Sequence, residues 1–263
     1  LGIFFIFEAS AVRSFNLYHD SFYYLKLQAI WFLLGILLMT FLSFFDYHRF
    51  YFLAFFLMLI TIFLLIFVLI PQFGVHAGGA RRWLSFGPFN LQPTELAKFS
   101  LVIYLSSWFI HKERKRFFSF LILVGFLTFL IILQPDMGTA VIIFLLSVSL
   151  YFLAGFSIGH LLLLFPITVL IFLGLIKFSP YRMARLITFF NPSIDPLGIS
   201  YHLNQIMISL ANGGLFGLGF GASRQKYLFL PEAHTDSIFA IIAEEIGFFG
   251  ALMTIFLFLF FSY

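Results

Sequence analysis

The sequence predicts an all-α membrane protein that crosses the bilayer many times. Hydrophobic residues make up 62% of the 263 residues and charged residues only 10%, and the mean hydropathy is +1.06. No water-soluble fold could bury so many apolar residues in one core. Apolar runs bounded by charge, Pro or Gly predict membrane helices over residues 25–45, 50–70, 93–110, 117–133, 139–153, 158–176 and 237–261.

Both ends of the sequence fall within apolar runs. Residues 2–7 are too short to span a bilayer and lack the basic flank of a signal peptide, so they resemble the tail of a first helix. The last run continues from Phe248 to Tyr263. We therefore expect a single membrane domain over residues 1–263 with about eight spans, and with sequence missing at both ends.

Two of the predicted spans are short, at roughly 17 and 15 residues. They flank the segment Gln134-Pro135-Asp136. We expect two separate spans here, and a re-entrant hairpin is the alternative.

The basic residues predict on which side of the membrane each loop lies. The tightest basic cluster in a short connection covers residues 112–116, and such loops stay on the cytoplasmic side. Alternation then places residues 71–92, 134–138 and 178–236 outside. The last of these carries several cations, but long loops escape the positive-inside rule.

The predicted external loop 178–236 concentrates the polar chemistry of the chain. Charges beside a bilayer indicate that something polar is bound or processed there. The alternatives for the cations are an anionic lipid headgroup, a pyrophosphate or simple solvation of a long loop. The charged residues of this loop are Arg182, Arg185, Asp195, Arg224, Lys226, Glu232 and Asp236, and Arg81 and Arg82 in residues 71–92 add to the external positive charge.

Composition also excludes several kinds of site. The chain has no Cys, so it contains no disulfide, thiolate nucleophile or zinc–thiolate centre. The seven His residues show no metal-ligand spacing, which argues against a transition-metal enzyme. We expect no nucleic-acid partner.

A helix start follows residues 71–92. Pro93 suits the first turn of a helix, and Glu95 complements the helix dipole there. Glu95 and Lys98 then lie at i, i+3 on one face. They form either a structural ion pair or part of a substrate channel.

Further acidic residues lie at a helix break and inside an apolar helix. Asp136 lies where it could cap the helix that follows it. Glu244 and Glu245 fall within the last apolar run, and because adjacent side chains point in different directions, at least one should face the protein interior.

The segment 230–240 leads from the long loop into the last span. Thr235 or Asp236 could cap that helix, or Asp236 could act as a base at the boundary between water and membrane. Upstream, the Gly-rich residues 213–221 lack the strand and acidic residue of a dinucleotide fingerprint, and we interpret them as sites of close packing or as a flexible loop.

Four motifs in this order resemble those of the SEDS family (shape, elongation, division and sporulation), the membrane glycosyltransferases that polymerise peptidoglycan. The resemblance covers essentially the whole chain, and residues 225–236 are most similar to the division and sporulation branch. The motifs are Gly79-Ala80-Arg81-Arg82-Trp83, Gln92-Pro93-Thr94-Glu95-Leu96-Ala97-Lys98, Gln134-Pro135-Asp136-Met137-Gly138-Thr139, and Pro231-Glu232-Ala233-His234-Thr235-Asp236 with Glu244-Glu245.

The resemblance implies a helical bundle of ten spans, of which about eight are present, and a role in septal cell-wall synthesis. It implies that Asp236 is the essential carboxylate, that Lys98 and Arg82 matter in a central cavity, and that the substrate is lipid II. The implied partners are a class-B penicillin-binding transpeptidase, other division proteins and membrane lipids.

From the residues and the resemblance together we predict three roles. Asp236 is the catalytic base. The substrate-binding residues are Arg82, Lys98, Glu95, Arg182, Arg185, Glu232 and His234, and a divalent cation, Mg²⁺ or Mn²⁺, could share the diphosphate with the arginines. Residues that shape the cavity are Arg81, Trp83, Gln92, Pro93, Asp136, Glu244 and Glu245.

Three rival functions remain open on the sequence alone. A lipid flippase would also use intramembrane charges and broken helices, although we find no internal repeat of the kind that many transporters show. An elongation-type polymerase is the second. The third is a scaffold whose helices mainly recruit the transpeptidase.

Overall fold

A computed structural model describes residues 2–77, 80–87, 89–110, 116–191, 195, 198, 200–227 and 229–263. Within these residues most of the chain is helical, which confirms the predicted all-α class. The helices are α1 (Gly2–Tyr18), α2 (Tyr23–Ser43), α3 (Phe50–Phe67), α4 (Pro93–Phe109), α5 (Arg116–Leu133), α6 (Met137–Leu153), α7 (Ile158–Lys177), α8 (Pro180–Phe190), α9 (Tyr201–Gly213) and α10 (Ile238–Ser262).

Parts of two predictions lie outside the described residues. Most of the basic cluster that sets the orientation, residues 112–115, is among them, and so is Gly79 of the first motif. The orientation, and the extracytoplasmic placement of residues 178–236, therefore stay predictions.

The seven full spans predicted from the sequence agree with the observed helices to within a few residues. The opening run, predicted over residues 2–7, is longer than expected, because α1 continues to Tyr18. Two helices within the predicted loop 178–236, α8 and α9, were not predicted. Four segments are long and apolar enough to cross a membrane, namely Tyr23–Ser43, Tyr47–Phe67, Ile158–Lys177 and Ile238–Ser262. The segments Phe117–Leu133 and Met137–Leu153 are apolar but shorter. They form two helices, α5 and α6, on either side of Gln134 and Pro135. Both two spans and a re-entrant hairpin contain such a pair, so the two spans stay a prediction.

The first compact unit comprises residues 1–44 and 172–263. Within it α1 packs against α2 and α10, and α9 packs along α10. A small buried cluster joins Ala9 of α1 to Leu230 and Ala233 before α10 and to Ala240 and Ile241 within α10. This cluster fixes the start of α10 against α1.

The second compact unit comprises residues 45–171. Its core lies among α3, α4, α5 and α6, where Leu65, Leu101, Leu127 and Ile143 are fully buried. Thr61 of α3 donates a hydrogen bond to Ser100 of α4 at 2.8 Å inside this core. Such a buried hydroxyl pair between helices satisfies polar groups that lipid could not.

A small antiparallel sheet between α3 and α4 was not predicted from the sequence. It consists of β1 (Gly74–Ala77), β2 (Ala80–Phe86) and β3 (Phe89–Leu91) in the order β1-β2-β3. Strands of three to seven residues are too short to give a clear alternating pattern, which explains why the sequence did not reveal them. The sheet carries Arg81, Arg82 and Trp83 on β2.

Candidate functional site

The turn that carries Asp236 is ordered by its own backbone. The carbonyl of Glu232 accepts hydrogen bonds from the amide of Thr235 at 3.1 Å and from that of Ser237 at 3.2 Å. Glu232 itself has φ of 48°, a left-handed conformation that is uncommon for a residue with a side chain. Such strained residues cluster at active sites and ligand clamps.

Asp236 is exposed at the start of α10 and is free to act. It makes no hydrogen bond or ion pair with any residue that the structure describes. The capping alternative for this segment is wrong, because the N-cap of α10 is Ser237 and no side chain caps it. Instead Ser237 Oγ lies 2.6 Å from His202 Nε2 and donates to the carbonyl of Pro231 at 3.3 Å.

The corner between α1 and α2 lies beside this turn. Arg13 of α1 reaches Glu232 Oε1 at 3.5 Å, and the ring of Tyr24 in α2 lies 4.6 Å from that of His234. Leu230 and Ala233 are buried and anchor the turn to the protein interior. The turn therefore carries the exposed carboxylate of Asp236, a second carboxylate, Glu232, that contacts the Arg13 guanidinium, and the imidazole of His234.

His234 lies half-buried between these groups. Its Nδ1 is buried and has no hydrogen-bond partner among the described residues. Burial lowers the pKa of His234 below its usual value, the positive charge of Arg13 lowers it further, and the negative charge of Glu232 opposes both. The imidazole is therefore neutral at neutral pH.

The lowered pKa of His234 predicts a loss of stability in acid. The group contributes stability above its unfolded pKa, about 6.5, and that stability is lost as pH falls through the lower folded pKa. The thermal midpoint of the protein in detergent should fall as the pH drops below about 6.5, and His234→Phe should make the fall smaller. His19 provides the control, because it is exposed at the end of α1 and forms no ion pair with any residue that the structure describes. His19→Asn should leave the fall in place, and an unchanged fall in His234→Phe would contradict the assignment.

A buried charge cluster lies behind the turn. The ammonium of Lys226 donates to Glu8 Oε2 of α1 at 3.0 Å and to Glu245 Oε1 of α10 at 3.1 Å, and Lys226 is only 6% exposed. Burial lowers the pKa of Lys226, but the hydrogen bonds and charges of Glu8 and Glu245 outweigh it, so the pKa is raised. Lys226 is therefore a fixed positive charge.

Both acidic residues of the predicted pair Glu244 and Glu245 are buried. Glu244 accepts a hydrogen bond from Ser223 Oγ at 2.6 Å and one from the amide of Arg224 at 3.3 Å. Glu245 Oε2, in contrast, is buried without a partner among the described residues. Both side chains therefore face the protein interior, which confirms the prediction that at least one of them would.

The Gly-rich segment packs against a break in α10. Gly247 has φ of 76° inside this helix, so the helical hydrogen bonds stop there. The amides of Leu218 and Gly219 donate to the carbonyls of Glu244 and Glu245, each at 3.0 Å, and the amide of Phe248 donates to Gly214 at 2.9 Å. Backbone groups freed by the break are thus paired inside the protein, as membrane depth requires.

The two α8 arginines are not joined to the Asp236 turn by any hydrogen bond or ion pair among the described residues. Arg185 lies over the ring of Tyr181 with 4.6 Å to its centroid. Arg182 makes one long contact, 3.4 Å, to the carbonyl of Leu175. Their contact with a diphosphate stays a prediction.

The other predicted residues belong to the second unit. Pro93 starts α4, Gln92 is its N-cap residue, and Lys98 Nζ lies 2.8 Å from Glu95 Oε1. This is the predicted ion pair. Because the side chains are 30% and 60% exposed, it contributes little stability and remains accessible.

Arg82 and Asp136 organise the connection between α5 and α6. Arg82 donates to the carbonyls of Gln134 at 3.2 Å and Pro135 at 2.6 Å. Asp136 caps α6 by accepting from the amide of Thr139 at 3.2 Å and from its hydroxyl at 2.8 Å. Two of the five N–H groups of Arg82 are therefore used within the protein. Its contact with the substrate stays a prediction. Arg81 and Trp83 lie on β2, where both are at least partly exposed.

A cavity of about 490 Å³ in the second unit lies between the start of α3 and the end of α4. Its lining is mostly apolar and includes Tyr51, Val102 and Ile103. None of the predicted site residues lines it, so we assign it no part in the chemistry.

The described residues contain no group of three or more His, Asp or Glu side chains that could hold a metal ion. Asp236 and Glu232 are the acidic side chains of the turn. These two carboxylates alone do not form such a site, and a Mg²⁺ or Mn²⁺ ion that shares the diphosphate with the arginines stays a prediction.

A family model described as "Cell cycle protein", for FtsW, RodA and SpoVE, matches residues 1–263. The chain belongs to the FtsW/RodA/SpoVE family. This confirms the SEDS family predicted from the motifs, and together with the four apolar helices it establishes a membrane protein.

The curated relatives of this family member include division and sporulation proteins. "Stage V sporulation protein E" of Bacillus subtilis is 37% identical over 98% of the chain and 72% of its own length. "Probable peptidoglycan glycosyltransferase FtsW" of Nitrosococcus halophilus is 42% identical over 79% of the chain and 55% of its own length. The FtsW relative from Coxiella burnetii is 37% identical over 98% of the chain and 71% of its own length. The chain thus spans between just over half and almost three quarters of these relatives.

Solved structures of the family show the same fold. One belongs to a peptidoglycan synthase complex that coordinates polymerization and crosslinking, with a TM-score of 0.73 and 27% identity, covering 97% of this chain and 73% of that one. Another is the rod shape determining protein RodA of Thermus thermophilus, with a TM-score of 0.60 and 25% identity over 97% of this chain and 70% of that one.

Several residues of the site in the first unit were not found by sequence analysis. Glu8 and Arg13 follow residues 2–7, the apolar run that we interpreted only as a helix tail, and lie in the same helix, α1. Tyr24 and His202 become neighbours of the turn only through the packing of α2 and α9. A charge within an apolar segment is a signal of function or pairing, and for Glu8 and Arg13 that signal was available.

Proposed function

We propose that this chain is the membrane core of a peptidoglycan glycosyltransferase that polymerises lipid II during septal cell-wall synthesis. One observation carries the proposal most directly: an exposed and unpaired carboxylate, Asp236, at the start of α10, in a family with relatives named for this activity. A general base must be accessible to the proton that it removes, and the exposed carboxylate of Asp236 is open to an incoming substrate.

In the proposed reaction the carboxylate of Asp236 takes the proton of the acceptor sugar's 4-hydroxyl. The oxygen of that hydroxyl forms a bond to the anomeric carbon of the donor, with inversion. The bond from this carbon to the polyprenyl diphosphate breaks, and its electron pair leaves with the diphosphate. Negative charge therefore builds on the leaving group, and nearby cations stabilise it.

The first unit offers one guanidinium in a suitable place. Arg13 lies beside the Asp236 turn through its 3.5 Å contact with Glu232, and a guanidinium can bind phosphate oxygens in bidentate fashion. The amino end of α10, just after Asp236, adds the partial positive charge of a helix terminus. We propose Arg13 as a diphosphate contact beside the predicted Arg182 and Arg185.

The packing of α1 and α2 supports an extracytoplasmic position for the site. Asp236 lies at the same end of the first unit as the α1–α2 corner, as the contacts of Arg13 and Tyr24 show. The alternation of spans predicted from the basic cluster 112–116 puts both connections on the outer side, which agrees with these contacts. Lipid II would then be used in the outer leaflet of the bacterial cytoplasmic membrane, at the septum.

We further propose that a class-B penicillin-binding transpeptidase and other division proteins bind this chain. Support comes from the peptidoglycan synthase complex to which one similar structure belongs. An elongation complex is the alternative setting, since the RodA structure has the same fold.

A lipid II flippase is the second candidate function. The break of α10 at Gly247, next to the buried charges of Glu244 and Glu245, is a feature that transporters use at their central sites. Translocation of the lipid II headgroup without glycan product would favour this candidate.

Reconstitution tests the proposed function. The full-length protein is placed in lipid vesicles with purified lipid II, with and without its transpeptidase partner, and glycan chains are resolved by gel electrophoresis. We expect polymer that depends on the protein. A preparation that binds lipid II but yields no polymer under either condition would refute the proposal.

A further inference from the structure

The segment 222–237, which carries Asp236, is tied to the first half of α10 at both of its ends. Its carboxyl end continues directly into α10. Its amino end is held through Lys226, which contacts Glu245, and through Ser223 and Arg224, which contact Glu244. The segment therefore forms a closed loop on the helix that follows it.

Lys226 also ties this loop to α1. Its ammonium lies 3.0 Å from Glu8 Oε2, and Glu8 and Arg13 belong to the same helix. Arg13 in turn contacts Glu232 near the other end of the loop. Two contacts from α1, one buried and one exposed, thus bracket the part of the loop that leads to Asp236.

The cluster is poorly arranged if stability is its only purpose. The cluster contains three carboxylates, those of Glu8, Glu244 and Glu245, but only one ammonium, that of Lys226. Glu245 Oε2 has no partner among the described residues. Buried ion pairs often add nothing to stability relative to apolar side chains of similar volume, because removing charges from water is costly. What such a pair does supply is a defined geometry.

We propose that Lys226 is a positioning residue for Asp236: its contacts with Glu8 and Glu245 hold the loop so that the carboxylate meets the acceptor hydroxyl. This inference rests on the proposed function. Lys226 is buried and does not touch substrate, so it acts only through the loop. Misplacement of a catalytic group by about 1 Å can cost about 10²-fold in rate, and this is the effect expected when the contacts are removed.

The test separates positioning from charge balance. The double variant Lys226→Met/Glu245→Gln removes one positive and one negative charge together, so the fully buried Glu245 is not left as an unpaired carboxylate. Glu8 also loses its partner, but its side chain is 20% exposed. Lys226→Arg keeps the charge but changes its reach and shape. Both are compared with wild type in reconstituted vesicles for kcat, KM for lipid II and thermal midpoint. Lys26→Met is the control, because Lys26 forms an exposed ion pair with Asp20 at 2.6 Å.

We expect both variants to keep a thermal midpoint near that of wild type, to keep KM, and to lose about 10²-fold in kcat, while Lys26→Met changes none of these. Wild-type kcat in the double variant would overturn the proposal, since charge balance alone would then explain the cluster. Failure of both variants to fold would also overturn it, because the role would then be structural support. Wild type and Asp236→Asn are measured in the same preparation. Failure of the proposed function would appear as no polymer from wild type, or as equal polymer from wild type and Asp236→Asn. Failure of the positioning proposal alone would appear as a wild-type kcat in the Lys226 variants.

Discussion

Asp236→Asn is expected to abolish lipid II polymerisation, with a loss of about 10³-fold or more, because the amide cannot accept the proton of the acceptor hydroxyl. The change is nearly isosteric, and Asp236 makes no hydrogen bond or ion pair among the described residues. The variant should therefore insert into the membrane and unfold at the same temperature as wild type. Glycan formation by purified protein in vesicles, followed over time, measures the effect.

The matched control for this prediction is Asp20→Asn. Asp20 is another acidic residue at the same end of the first unit, in the connection between α1 and α2. Unlike Asp236, its carboxylate accepts hydrogen bonds from the amide of Phe22 at 2.9 Å and from Lys26 Nζ at 2.6 Å. Its hydrogen bonds hold the pKa of Asp20 below its usual value, so it stays ionised. We expect near wild-type polymerisation from it. Equal activity in Asp236→Asn and Asp20→Asn would show that Asp236 is not the base.

Gly217→Ala is expected to be strongly destabilising. Gly217 has φ of 82°, and a Cβ there would overlap the backbone carbonyl of Glu245 at the break in α10. The left-handed conformation costs about 1–2 kcal/mol for a residue with a side chain, and the overlap adds about 1–3 kcal/mol because backbone must move. The thermal midpoint in detergent should fall sharply, and little folded protein should be recovered from membranes.

Gly219→Ala separates the two causes of that effect. Gly219 also has positive φ, 101°, but a Cβ there would meet no atom within 4 Å. The control should therefore show only the conformational cost. If both variants lost the same stability, close packing against α10 would not be the reason for glycine at position 217. The packing of the Gly-rich segment against the helix break would then be contradicted.

The sequence predicted the seven full spans well, because membrane spans are recognised by their length and composition. It did not predict α8 and α9, which are short and lie within the polar loop 178–236. Pro93 and Asp136 were placed correctly at helix starts, since both signals are local. The short sheet was missed because strands such as Phe89–Leu91 are too brief for a periodic pattern. The break at Gly247 was missed for a different reason: the surrounding residues read as one continuous apolar run.

The chemistry of the site was only partly predictable. Asp236 could be chosen from its motif and its boundary position, and Glu244 and Glu245 from their cost in an apolar helix. Lys226 gave no such signal, because a lysine in a charged loop is usually solvated, whereas here it is buried between α1 and α10. Contacts between segments some 200 residues apart, such as Arg13 with Glu232, depend on tertiary packing that local patterns do not encode.

The most direct test of the central claim measures two products in the same vesicles. Glycan polymer and movement of the lipid II headgroup across the bilayer are followed together for wild type and Asp236→Asn. We predict polymer from wild type and none from the variant, whatever the headgroup does. Headgroup movement by wild type without polymer, or polymer from Asp236→Asn at the wild-type rate, would contradict a polymerase that uses Asp236 as its base.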